Sequence, residues 1–125
     1  FAGFVDGIAR NRLLQEAAVA VFPSHYEPFG IVALEAMAAQ VPVIVGDTGG
    51  LNEVVEQGID GFKVPPGQPE ALARYISEVL TNRSLAEEIC RHAWRKVCSA
   101  YNWRHIAAVT REVYAQVGGG LARSL

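Results

Sequence analysis

An apolar run, Val19–Phe22, stops at Pro23, and a helix-forming run, Ile31–Ala39, opens just past Gly30. The segment between them holds Pro23, Pro28 and one carboxylate, Glu27. A short continuous apolar run bounded by turn residues reads as a strand buried on both faces, the habit of parallel sheets. The order is therefore strand, tight loop, helix start. A parallel strand reaches its neighbour only through a crossover, so this one unit commits much of the chain to alternating strands and helices. Glu27 lies in the loop, and Glu35 lies about a turn and a half into the helix. An exposed helix start offers unpaired N–H groups and the positive end of the helix dipole, which suit an anion such as a phosphate. The flanking carboxylates accept hydrogen bonds from hydroxyls and repel phosphate. A ligand with both groups, such as a sugar nucleotide, fits that arrangement.

The remaining pattern extends the same logic. Phe1–Val5 is a short apolar run ended by Asp6-Gly7 and reads as a strand followed by a turn. Ile8–Ala18 reads as an amphipathic helix, with Ile8, Leu13, Leu14, Ala17 and Ala18 apolar between Arg10, Arg12 and Glu16. Val41–Val45 is a second buried strand, and Thr48-Gly49-Gly50 a loop whose glycines allow close backbone approach or positive φ. Leu51–Gln57 reads as a short helix with Gly58 as its C-cap, and Gly61–Val64 as a further strand stopped by Pro65-Pro66-Gly67. Only helices follow. Pro69 and Glu70 suit the first turn of a helix to about Leu80. Ser84-Leu85-Ala86-Glu87 reads as a capping box opening a helix to about Ser99. Asn102 caps a last helix, Trp103–Val117, with Trp103, Ile106, Ala107, Val109, Val113, Tyr114 and Val117 expected largely inward, and Gly118-Gly119-Gly120 ends it. The expected fold is α/β: a Rossmann-like parallel sheet of about four strands, helices on both faces and a C-terminal helical layer. Residues 1–117 form the domain, and 118–125 a flexible tail.

Composition narrows the functional classes. The 125 residues suffice for one domain with a real core, and the net charge of −2 points away from nucleic-acid and anionic-membrane surfaces. No apolar run approaches the ~20 residues of a membrane span, and no signal peptide is recognisable. Phe1 opens directly on an apolar run, which reads as a processed product or a fragment. Cys90 and Cys98 share one helical pattern, about 12 Å apart, too far for a disulfide. Reduced cysteines fit a cytoplasmic location. No cysteine–histidine cluster has metal-ligand spacing.

The blocks Phe22-Pro23-Ser24, Tyr26–Ala38, Pro42–Val45, Gly49–Glu53, Gly58 with Asp60–Val64, and Tyr101-Asn102-Trp103 together closely resemble glycosyltransferase family 4, whose signature is a Glu-x7-Glu motif. The resemblance covers nearly the whole chain except the tail. It implies part of the C-terminal, donor-binding half of a GT-B enzyme, retaining and usually metal-independent, that moves a hexose from a UDP-, GDP- or ADP-sugar to an acceptor. It implies Glu27 at the donor sugar, where it is the catalytic-site carboxylate, and Glu35 at the ribose hydroxyls. The amides of Phe29, Gly30 and Ile31 would meet the sugar and diphosphate, with Thr48, Gly49 and Gly50 approaching from the next strand end. The family's N-terminal acceptor domain, its first two strand–helix units and their diphosphate-neutralising Arg and Lys have no counterpart here. The chain alone is therefore expected to lack activity, and its open sheet edges to favour self-association. By the same resemblance Phe1–Val5 is the third strand of the usual order.

Each site residue also has a plainer role. Glu27 reads alternatively as a cap on the following helix, and Glu35, the lone charge on an Ala-rich helix, as an internally paired residue. Thr48-Gly49-Gly50 reads equally as a strand-to-helix turn. His25 is read as solvent-facing, Arg10 and Arg12 as solvated, Glu53 as structural, and Trp94 and Trp103 as core or interface aromatics. The alternative to an enzyme part is a nucleotide-sugar-binding or interaction module without catalytic activity.

Overall fold

A computed structural model describes the backbone of residues 1–121 and the side chains of residues 1–117. Its elements alternate as expected: α1 (Gly7–Glu16), β1 (Ala20–Phe22), α2 (Ile31–Ala38), β2 (Val43–Gly46), α3 (Gly49–Val54), β3 (Phe62–Val64), then α4 (Pro69–Thr81), α5 (Arg83–Ala100) and α6 (Trp103–Leu121). The strands form one parallel sheet in the order β1-β2-β3, with Val21 beside Ile44 and Val45 beside Lys63. The central strand β2 is buried along its whole length. Its alternating side chains divide the core: Val43 and Val45 face α2 residues such as Ala33, Ala36 and Met37, while Ile44 packs with Phe62, Val64, Val79 and Ile89 on the other face. Helix α5 spans both clusters, sending Ala93 to the first and Ile89 to the second.

The sheet has three strands among the described residues, not about four. Phe1–Val5 forms no strand: Gly3 sits at φ +68°, Phe1 and Phe4 are exposed, and no strand pairs with β1 on its free side. An isolated apolar segment has no ladder to join, and a left-handed residue in its middle ends its extended path. Asp6 becomes the N-cap of α1 instead, its Oδ1 accepting the Ala9 N–H at 2.8 Å. Helix α1 buries none of its residues.

Helix ends depart from expectation where a better cap lies nearby. Asn82, not Ser84, caps α5, its Oδ1 accepting the Leu85 N–H at 3.2 Å. α3 starts at Gly49 and ends before Val55, so Gly49 and Gly50 are its first turn, not a loop, and Gly58 belongs to the turn beyond, donating its N–H to Gly61 O. Asn102 caps α6 as expected, accepting the His105 N–H at 2.9 Å. That helix then runs through Gly118-Gly119-Gly120 to Leu121, because its backbone bonds tolerate glycine at a cost of only about 1 kcal/mol each. Residues 122–125 of the expected tail lie outside the described residues. The apolar face of α6 is not inward: Trp103 is 84% exposed, and Ile106, Val109, Val113, Tyr114 and Val117 are exposed as well. Trp94 on α5 is also exposed. Among the described residues no helix is long and apolar enough to cross a membrane. Cys90 and Cys98 are free thiols, and burial pushes the Cys90 pKa up.

Candidate functional site

The loops after β1, β2 and β3 all emerge at the carboxyl edge of the sheet, where open α/β sheets bind ligands. The loop after β1 is shaped by its own residues. Pro28 holds Glu27 away from helical backbone, and Gly30, at φ +87°, makes the left-handed turn into α2. A Cβ there would lie 2.8 Å from Leu51 Cδ2, so the position also fits Leu51 of α3 beneath it.

Glu27 is folded back on this turn. Its Oε1 accepts the N–H of Gly30 at 3.2 Å and of Phe29 at 3.4 Å, both at the long end of hydrogen-bond range. The carboxylate thus caps the helix entrance, and it sits on two of the three amides expected to face a donor. The N–H groups of Ile31 and Val32 precede the first intrahelical bonds. Phe29, Ile31 and Tyr26 expose their side chains around the turn.

Glu35 is not an unpartnered charge. Arg10 of α1 reaches it, Nη2 to Oε1 at 2.8 Å, with the two side chains 45% and 29% exposed. Arg10 is therefore not simply solvated. The signal in the sequence was the isolation of Glu35 on an apolar helix, but only the fold identifies the partner.

Thr48, Gly49 and Gly50 lie directly against the β1 loop. Thr48 Oγ1 donates to His25 O at 3.2 Å, and Gly50 N–H donates to Glu27 O at 2.9 Å. A Cβ at Gly46 would overlap Ser24 O, one at Gly49 would overlap Glu27 O, and one at Gly50 would stand 2.6 Å from Pro28 O. The glycines thus serve close backbone approach between the two strand-end loops. Their side of the site is a floor for the β1 loop, and Thr48 spends its hydroxyl there rather than on its own helix cap.

A cavity of about 250 Å³ opens at the same edge, between the β1 loop and the turn after β3. Pro23 and His25 form one wall, Pro65, Pro66 and Pro69 the other, with Gly46 and Leu72 between. His25 thus lines a concavity, and Pro65-Pro66-Gly67, read from sequence only as a strand stop, is part of its rim. Among the described residues no three His, Cys, Asp or Glu side chains converge as a metal site requires.

Comparison with known proteins places the chain. The family described as glycosyl transferases group 1 matches residues 1–96. The glycogen synthase of Mycobacterium tuberculosis is 40% identical over 114 residues, covering 91% of this chain and 28% of that protein. The sucrose-phosphate synthase of Thermosynechococcus elongatus superposes with a TM-score of 0.86 at 36% identity, covering 96% of this chain and 30% of that one. Anabaena HepE, in a structure with UDP and glucose, superposes with a TM-score of 0.77 at 26% identity, covering 95% of this chain and 31% of that one. The chain spans under a third of the length of the curated relatives it matches.

Proposed function

Because this chain belongs to the group 1 glycosyl transferases, with the GT-B fold, we propose that it supplies part of the donor site of an enzyme that moves a hexose from a nucleoside-diphosphate sugar to an acceptor with retention. The observation that carries the reading is the start of α2: two carboxylates flank a helix entrance at the carboxyl edge of a parallel sheet. The presence of UDP and glucose in the Anabaena relative supports the same ligand class.

In this reading Glu35 accepts hydrogen bonds from the ribose hydroxyls. Glu27 turns from its own amides to the donor sugar's hydroxyls, and the turn releases the Phe29 and Gly30 N–H groups, with Ile31, toward the sugar and diphosphate. The long bonds at 3.2 and 3.4 Å make that exchange inexpensive. The helix start then favours the negative charge that grows on the departing diphosphate, and fixed donors do so without reorganising. Thr48, Gly49 and Gly50 hold the floor under this turn. The acceptor and the remaining donor contacts come from outside these 125 residues.

Calorimetric titration with UDP-, GDP- and ADP-hexoses tests the reading. Saturable binding of one of them at ~1 mM or tighter, weakened by Glu35→Ala, is expected. Absence of binding to any at millimolar concentration would overturn the donor-site role.

A further inference from the structure

We propose that Arg10 is a positioning residue of the donor site that acts through Glu35. The inference rests on the assignment of Glu35 to the ribose hydroxyls. Arg10 lies on a helix with no fully buried residue, anchored to the core by a partly buried Leu14, and it reaches the only charged residue of α2 across 2.8 Å. A pair this open to water adds little to stability. Its effect on geometry is larger. A lone glutamate on an exposed helix face samples many rotamers, and a guanidinium at one oxygen selects among them. The ion pair is made at Oε1, and a carboxylate has acceptor capacity beyond one such contact for a hydroxyl. A carboxylate already oriented binds without the ordering cost it would otherwise meet on complex formation.

Neither residue type nor spacing assigns this task to Arg10, because Arg10 and Glu35, far apart in sequence, come together only in the folded chain. The contact also predicts which ligand group feels the loss. Removing Arg10 should weaken ligands that offer ribose hydroxyls and spare those that do not.

The test is calorimetric titration of the full 125-residue chain with UDP and with 2′,3′-dideoxy-UDP. Arg10→Ala should weaken UDP about five- to tenfold, the size of an ordinary coupling between contacting residues, and leave the dideoxy compound's affinity unchanged. Arg10→Lys should recover part of the loss. Glu35→Gln should weaken UDP as well, and adding Arg10→Ala to it should cause no further loss. Thermal unfolding of each variant separates these effects from a change in folding, and Arg10→Gln replaces Arg10→Ala if the latter unfolds. Unchanged UDP affinity in Arg10→Ala, beside a clear loss in Glu35→Gln, overturns the role of Arg10 and leaves the donor-site reading intact. Equal losses for UDP and its dideoxy form overturn it too, since Arg10 would then act elsewhere. If Glu35→Gln has no effect, or the unaltered chain binds no UDP, the donor-site assignment itself fails and takes this inference with it.

Discussion

The two ends of the sheet treat their polar groups in opposite ways. At the amino end of β3, Asp60 is buried and fully engaged: Oδ1 accepts the Glu56 N–H at 2.7 Å, and Oδ2 accepts from Lys96 Nζ at 2.6 Å. Lys96 also donates to Val54 O at 2.7 Å, so the clip joins α5 to both sides of the α3–β3 connection. At the carboxyl end, Glu27 holds only two long bonds to its own loop, and Arg10 and Glu35 remain partly open to water. Buried charge is tolerable only when every partner is present. Exposed charge with unspent hydrogen-bonding capacity is what a ligand requires. The difference separates an end whose polar groups are fully used in the fold from an end that keeps hydrogen-bonding capacity in reserve.

Substitutions at the two ends should break or sharpen that contrast. Lys96→Met removes one partner and leaves Asp60 buried and unpaired. We expect a loss of about 3 kcal/mol, at the low end for a buried pair because the Lys96 side chain is a quarter exposed. The urea midpoint measures it, and an unchanged midpoint would show that the clip does not hold the fold. Gly50→Ala should cost about 2 kcal/mol through overpacking, since the new Cβ meets Pro28 O and Phe29 O. Here the carboxyl end fails through its backbone and not its charges. Glu27→Ala should cost under about 1 kcal/mol, the size of a cap, while weakening donor sugar recognition in titration; a large stability loss would make Glu27 mainly structural. Smallest of all, Trp103→Ser on the exposed face of α6 should change stability by about 0.5 kcal/mol or less in thermal unfolding.

Much of this was legible in the sequence where one local rule decides. The buried run of β2, the Pro69 start of α4, and the Asn102 cap are each set by residues within a few positions. Glu27 and Glu35 stood out as candidates from their place on the loop and helix, and their roles belong to the proposal. What stayed hidden depends on partners distant in sequence. Phe1–Val5 has strand composition, but a strand exists only with a neighbour to bond to, and none flanks β1 on that side among the described residues. The outward face of α6 has core periodicity, since periodicity tells which residues share a face and not what covers it. Arg10 meets Glu35, and Lys96 meets Asp60, through packing that no short window reveals. The glycines at 49 and 50 announced close approach, but not that the approaching chain is the Glu27 loop itself.

That last contact has a dynamic consequence. Where Gly46, Gly49 and Gly50 meet Ser24 through Phe29, backbone lies on backbone, and the glycines have no side chain to rotate and take up slack. The two loops must therefore shift as one body. An excursion that frees the Gly50 amide from Glu27 O is then expected to loosen the neighbouring Thr48–His25 bond too. Hydrogen exchange at that single amide becomes a clock for opening of the whole carboxyl edge, and a ligand that settles on the α2 entrance should slow it.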